Sequence, residues 1–125
     1  MKETLVIVGS HKRTRNLFDF SRTDCDVWMF NEAMSRGNYP TDDEDLREFQ
    51  KKRRADAILQ IHIPAVWQNP LNTNDPNHFE WLKTQDQIDV YMQEEYPEVK
   101  RCIKFPLDEI VEKFGRRFFS SSPAC

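Results

Sequence analysis

Short apolar runs in this sequence are repeatedly followed by side chains that can bind a ligand or exchange a proton. In chain order these groups are Ser10, His11, Lys12 and Arg13; Asn31 and Glu32; Gln60 and His62; and Gln93 and Glu94. In open parallel sheets, ligands bind outside the carboxyl ends of the strands. If the apolar runs are parallel strands, we therefore expect these groups to meet at one edge of the sheet and form a site there.

The first group belongs to the stretch VIVGSHKRTRN, residues 6–16. This stretch contains neither GxGxxG nor GxxxxGK[ST], so it is neither the dinucleotide fingerprint nor a P-loop. Gly9 would still let the backbone approach a ligand closely, and Ser10, His11 and Arg13 would hold a phosphate beside main-chain N–H groups. A solvated basic turn after a buried strand is the alternative interpretation.

The second and third groups offer a ribose contact and a proton-transfer residue. Glu32 lies roughly 20 positions after Gly9, where dinucleotide-binding folds place an acid that binds ribose. Asn31 and Glu32 can equally be the polar end of a strand. His62 is the candidate general acid or base, and a hydrogen-bonded core histidine is the alternative. His78 and the other two histidines share no metal-ligand spacing, so no metal site is predicted.

A long stretch rich in Asn and Pro, residues 64–81, contains Trp67. An aromatic ring beside several amides suits a sugar or a nucleobase, because the ring stacks while the amides read hydroxyls or base edges. The same composition suits a turn-rich loop tied by Asn and Pro. Trp67 and Trp81 would alternatively anchor a protein interface, including that of a homo-oligomer.

The elements that position these residues alternate between strand and helix patterns. Strand patterns cover Leu5–Val8, Asp26–Asn31, Ala57–Ile63 and Ile88–Met92. Helix patterns cover residues 41–56, with a capping box at Thr41 and Glu44, residues 75–85, and residues 106–115, where Pro106 begins and Gly115 ends the helix. We therefore predict an α/β domain, a Rossmann-like open, mostly parallel sheet of four to five strands with helices on both faces.

Length, charge and cysteine usage limit the function classes. A chain of 125 residues predicts one domain, which we assign to residues 1–119, with residues 120–125 as a tail or a truncated helix start. The net charge of −3 provides no basic field, so nucleic-acid binding through Lys51–Arg54 and Lys12–Arg15 is unexpected. No apolar run is long enough to span a membrane. Three widely spaced cysteines favour a reducing, cytoplasmic compartment.

Four stretches share their layout with a known family. They are LVIVGS, NLFDFSRTDCDVWMFNE, RADAILQIH and RRFFSSS. This order resembles the N-terminal Rossmann-like region of bacterial lipooligosaccharide sialyltransferases and related uncharacterised phage proteins. The resemblance implies that Gly9, Ser10 and Asn31, with Ser120 and Ser121 at a later turn, contact the nucleotide of a CMP-sugar donor.

Two departures from that family limit what the resemblance implies. The first loop is GSHKR here, where the family has GNGPS, and nothing matches the family's catalytic histidine region. The sequence therefore predicts nucleotide or nucleotide-sugar binding rather than transfer, while a place in a glycosyltransferase-like enzyme of phage or bacterial origin is what the resemblance implies. The alternative is a non-enzymatic, phage-type accessory protein that acts through protein–protein contacts.

Overall fold

A computed structural model describes residues 2–35, 42–73 and 75–115 of the chain. The strands are β1 (Thr4–Ile7), β2 (Cys25–Phe30), β3 (Ala57–Leu59), β4 (Asp89–Met92) and β5 (Cys102–Lys104). The helices are α1 (Glu44–Lys52), α2 (Pro64–Trp67), α3 (His78–Thr84) and α4 (Leu107–Phe114). None of the helices in these ranges is long and apolar enough to cross a membrane.

The five strands form one parallel sheet in the order β1-β2-β3-β4-β5. This confirms the predicted α/β class with an open, Rossmann-like parallel sheet. Each strand lies beside the one that precedes it in the chain, so the strand order never reverses. Ligand sites in doubly wound sheets lie where the order reverses. Any site at the edge of this sheet must instead be made by successive strand ends and the segments that cover them.

One face of the sheet carries the core. The register places Met29 beside Ile58 and Ile58 beside Val90, so these residues share a face. On that face, Leu46 and Phe49 of α1 pack with the residues of β2, while Trp67 of α2 and Leu82 of α3 pack with those of β4. Burial of this face removes the largest apolar area from water and supplies most of the driving force for folding.

The helices α1, α2 and α3 therefore all pack on one face, which differs from the predicted placement on both faces. The strand order explains this difference. Crossovers between parallel strands are right-handed in nearly all proteins. When every new strand is added on the same side of the sheet, right-handed crossovers all lie on the same face.

The opposite face of the sheet is apolar and only partly covered. Trp28 and Tyr91 stack diagonally across β3 with their ring centroids 4.9 Å apart, where Trp28 pairs with the small Ala57 and Tyr91 pairs with Leu59. Leu5, Ile7 and Ile103 on the outer strands stay 37, 39 and 36% exposed. No residue of α4 is buried.

Helix α1 begins three residues after the predicted capping residue. Its N-cap is Asp43, whose side chain accepts a hydrogen bond from the Leu46 N–H at 3.1 Å. Thr41 lies outside the described residues. Glu44 and Asp45 occupy the first turn and Lys51 and Lys52 the last, which matches the helix dipole as expected.

Other boundaries also differ from the sequence patterns. β3 ends at Leu59 rather than Ile63, because the Ile61 N–H donates to the Asn31 side chain instead of a strand carbonyl. α2 occupies part of the stretch predicted as loop, and β5 was not predicted. Pro106 is the N-cap of α4 rather than its first helical residue, and Gly115 ends the helix with φ 77°.

Candidate functional site

A cavity of about 110 Å³ lies at the carboxyl ends of β1, β2 and β3. Its polar walls are formed by Ser10, Arg15, Asn31, Glu32 and His62. Apolar side chains, including Leu46 and Phe49 of α1, complete it. The structure thus brings together four of the predicted site residues, one or two from the end of each strand, and adds Arg15.

Asn31 joins the ends of two strands. Its backbone has φ 50°, in the left-handed region that Asn tolerates better than most residues. Its N–H donates to the Leu59 carbonyl at 3.0 Å, and its Oδ1 accepts from the Ile61 N–H at 3.2 Å. Asn31 therefore holds the segments after β2 and β3 at a fixed separation, which sets the width of the cavity.

Glu32 supplies an unused acceptor. The residue is only 8% exposed, yet its carboxylate makes no hydrogen bond or ion pair with any residue that the structure describes. Neither carboxylate oxygen is fully enclosed, so a ligand in the cavity can reach them. A carboxylate can accept from several donors at once, so Glu32 is suited to bind ligand hydroxyls.

Arg15 supplies unused donors in the same cavity. It is 6% exposed, its Nη2 donates to Asp45 Oδ2 at 2.5 Å, and its guanidinium carbon lies 5.4 Å from the centre of the Phe49 ring. The buried Nε has no partner. Leaving a buried donor unsatisfied typically costs about 1–3 kcal/mol. A ligand acceptor beside Arg15 would remove that cost.

A tight turn after β1 separates Arg15 from the residues predicted to hold phosphate. The N–H groups of Thr14 and Arg15 both donate to the His11 carbonyl, at 3.0 and 2.9 Å. The turn directs Arg15 inward and leaves His11 and Arg13 exposed and outside the cavity lining. Sequence reasoning missed Arg15 as a cavity residue, because its inward direction depends on this turn and on the contact with Asp45, 30 residues away.

Gly9 has no conformational requirement for glycine. Its φ is not in the left-handed region, and an added Cβ would meet no atom within 4 Å. The chain itself therefore tolerates a side chain there. The predicted role of Gly9, which is to let a ligand approach the backbone, stays a prediction.

A buried chain of hydrogen bonds behind the cavity joins the ends of β2 and β3 to α3. The His62 N–H donates to Gln60 Oε1 at 3.1 Å, so the amide nitrogen of Gln60 faces His78 Nε2 at 2.7 Å. His78 Nε2 must therefore accept, and the protonated Nδ1 donates to Ser35 Oγ at 2.7 Å. The network holds Ser35, and with it the segment that carries Glu32, against the segment that carries His62.

The same burial fixes the charge of His78. The residue is fully buried, and burial lowers the pKa of His78 below its ordinary value, while the Glu32 and Asp75 carboxylates partly oppose this shift. His78 is a neutral positioning residue. The sequence placed Gln60 only near a strand end, and the spacing of His78 bore only on the question of a metal site.

His62 lies in the segment between β3 and α2 rather than on a strand. It is half-buried, lines the cavity, and its ring has no hydrogen-bond partner among the described residues. The alternative of a hydrogen-bonded core histidine fits His78 instead. An imidazole beside a carboxylate in one cavity can exchange protons with a bound ligand.

Trp67 does not contribute a ligand-binding surface. It is 1% exposed, and its ring packs edge-on against Phe79 and Tyr96, at 5.4 and 5.0 Å between centroids. The predicted roles of Trp67, as a ring that stacks on a ligand or as an anchor of a protein interface, are wrong, because the stretch around it folds into α2 and buries the ring. Trp81 is half-buried against both parts of the core.

The remaining predicted residues lie away from the cavity or outside the described ranges. Gln93 and Glu94 are exposed, and Glu94 forms an ion pair with Lys104 at 3.2 Å. Ser120 and Ser121 lie outside the described residues. Within the described ranges, no three His, Cys, Asp or Glu side chains are grouped so that they could bind a metal ion.

Comparisons with known proteins do not assign this chain to a family. No protein-family model matches it, and no curated protein or solved structure is detectably similar to it. The resemblance to the sialyltransferases stays a prediction from four short stretches. The cavity must therefore be interpreted from its own chemistry.

Proposed function

We propose that this chain binds a nucleotide or nucleotide-sugar in the cavity at the carboxyl ends of β1, β2 and β3. The observation that carries this proposal is the unpartnered, largely buried carboxylate of Glu32. An acid after the second strand of a parallel sheet is placed to accept hydrogen bonds from ribose hydroxyls. Ser10, at the end of β1, lines the same cavity and adds a hydroxyl.

Asn31, His11 and Arg13 would contribute to binding in other ways. Asn31 sets the position of Glu32 and lines the cavity. The exposed His11 and Arg13 lie outside it, where they would attract the phosphates of a longer ligand such as a CMP-sugar. Cys25 and Cys102 are free thiols, which supports a reducing, cytoplasmic setting.

His62 is the candidate catalytic residue if the protein is an enzyme. In a glycosyltransferase-like enzyme, its imidazole would accept the proton of the hydroxyl that attacks the donor sugar, while the bond between that sugar and the phosphate breaks and CMP leaves. Its place in the cavity wall and its free ring nitrogens support this role. Replacing His62 by Gln should then abolish transfer from a CMP-sugar while leaving nucleotide binding intact.

Calorimetric and thermal-shift titration with CMP, UMP, AMP, NAD and a CMP-sugar tests the proposed function. A ligand at one hundred times its dissociation constant should add about 2.7 kcal/mol to the free energy of unfolding. Glu32→Gln should weaken binding about tenfold, because it removes a charged acceptor. Glu94→Gln, the same change on the exposed part of this edge, is the control and should have no effect. Absence of a shift with every nucleotide would contradict the proposal.

A second function, protein–protein contact, is favoured by the partly covered apolar face of the sheet. Its exposed side chains are Leu5, Ile7 and Ile103, in place of the tryptophans predicted as anchors. Such a face suits a second copy of the chain. Sedimentation should then show a dimer that Ile7→Asp dissociates, and a monomeric wild-type protein would exclude this function.

A further inference from the structure

We propose that the cavity binds specifically the ribose 5-phosphate unit of the ligand, with the phosphoryl group on Arg15 and the sugar hydroxyls on Glu32, while the base stays outside. This inference rests on the proposed function. It also makes a separate claim, which is that affinity depends on the sugar phosphate and not on the identity of the base.

Arg15 is held ready for an anionic oxygen. Of its three guanidinium nitrogens, only Nη2 has a partner among the described residues, and the buried Nε lies unsatisfied. Asp45 is itself fixed by the Asn16 amide, which donates to Asp45 Oδ1 at 2.6 Å. Contact with the Phe49 ring holds the guanidinium from the side. A cation fixed in this way loses little side-chain entropy when it binds a phosphoryl group.

Glu32 gives the ligand one orientation. Its carboxylate repels a phosphoryl group and accepts from hydroxyls, whereas Arg15 does the opposite. Both residues line one cavity without forming an ion pair with each other. A ligand that carries an anion at one end and hydroxyls at the other satisfies both residues at once, and ribose 5-phosphate is such a unit.

The cavity is small, which favours a sugar phosphate over a whole nucleotide as its occupant. Its volume of about 110 Å³ is well below the roughly 300–1,000 Å³ of sites that enclose a whole small ligand. The Phe49 ring is already covered by two cations, Arg15 at 5.4 Å and Arg53 at 5.9 Å. That ring is therefore not free to stack on a base, and Trp67 is buried elsewhere.

Calorimetric titration of the full chain with ribose 5-phosphate, ribose, AMP and CMP tests the inference. We expect ribose 5-phosphate, AMP and CMP to bind within about fivefold of one another, and ribose at least about tenfold more weakly, since it lacks the charged contact. If the nucleotides bind but ribose 5-phosphate does not, this inference is wrong and the proposed function stands. If none of them binds, both are wrong.

Two further measurements test whether the phosphoryl group binds to Arg15. Arg15→Lys keeps the charge but removes Nε, and should weaken binding of ribose 5-phosphate about tenfold or more. Arg22→Lys, the same change on an exposed arginine that does not line the cavity, should leave it unchanged. In the wild-type protein, the Arg15 Nε–H resonance, identified as the peak that Arg15→Lys lacks, should move when ribose 5-phosphate is added. Equal affinities of the two variants, or an unmoved resonance at saturation, would overturn the assignment.

Discussion

Two halves of the same sheet edge carry similar side chains in different environments. At the ends of β1, β2 and β3, Arg15 and Glu32 are more than nine-tenths buried and retain unused hydrogen-bonding groups. At the end of β4, Gln93 and Glu94 are exposed, and their groups bond to the Ile61 carbonyl and to Lys104.

The difference lies in what covers each half. The connection between β2 and β3 forms α1, whose Leu46 and Phe49 form part of the cavity wall beside the strand ends. No side chain of α4, which follows β5, is buried. A polar group at a strand end becomes a candidate site when neighbouring segments shield it from water, because shielding strengthens its interactions with a ligand.

The largest expected effect is on the network behind the covered half. His78→Ala leaves a cavity in the core and removes the hydrogen-bond partner of Gln60 and of Ser35. It should therefore lower the free energy of unfolding by about 3–4 kcal/mol. Urea denaturation measures this loss. Glu94→Ala in the open half should cost less than about 0.5 kcal/mol, since exposed ion pairs contribute little. Similar losses of stability for His78→Ala and Glu94→Ala would contradict the difference proposed between the two halves.

The pH dependence of stability tests whether His78 is buried in its neutral form. Burial lowers the folded-state pKa of His78 below its unfolded value near 6.5. The unfolded state therefore binds more protons over the interval between the two pKa values, and stability rises with pH across it. The contribution of His78 should be complete above about pH 6.5 and should disappear as the pH falls through the folded-state pKa. Urea midpoints at several pH values should show this slope in the wild type, and a wild-type slope equal to that of His78→Leu would contradict the assignment.

Arg15 should matter less to stability than its burial suggests. Arg15→Met removes the unsatisfied Nε, and the Asp45 carboxylate that it leaves behind is partly exposed and keeps the Asn16 amide as a donor, so no fully buried charge is left without a partner. The free energy of unfolding should change by less than about 1 kcal/mol. Asp45→Asn tests the other partner, which is only partly buried. A loss above 3 kcal/mol for Arg15→Met would show that Arg15 is structural rather than reserved for a ligand.

Glu32→Gln should raise the free energy of unfolding, whereas the substitutions of His78 and Glu94 should lower it. Glu32→Gln replaces an unpartnered carboxylate by a neutral group of the same shape, so stability should rise by about 0.5 kcal/mol. Urea denaturation at neutral pH measures the change. A loss of stability would mean that the carboxylate has a structural partner.

Gly9→Ala should have the smallest effect. Because an added Cβ meets nothing within 4 Å, the change in stability should stay within a few tenths of a kcal/mol. Thermal denaturation checks this. Weaker nucleotide binding without loss of stability would show that Gly9 provides space for the ligand.

Much of the site could be predicted because it depends on where strands end. The apolar runs located the ends of β1 and β2, and the rule for parallel sheets then selected Ser10, Asn31, Glu32 and His62 without a motif. The choice of Arg15 over Arg13 depends on a turn and on an aspartate 30 residues away. Neither the turn nor the distant aspartate can be inferred from the residues that flank Arg15 in the sequence.

Other features escaped sequence reasoning for different physical reasons. β5 has only three residues, Cys102–Lys104, too short for a period-two pattern to emerge. The strand order, and with it the placement of α1, α2 and α3 on one face, is set by tertiary packing. Trp67 was misassigned because a four-residue helix has no detectable periodicity.

We propose above all that Glu32 binds the ribose of a nucleotide in the covered half of the edge. The most direct test is calorimetric titration of the wild-type protein with AMP and with its 2′,3′-dideoxy analogue. We predict that AMP binds at least about tenfold more tightly, because the analogue leaves the buried carboxylate without a partner. Equal affinities, or no binding of either ligand, would contradict the account.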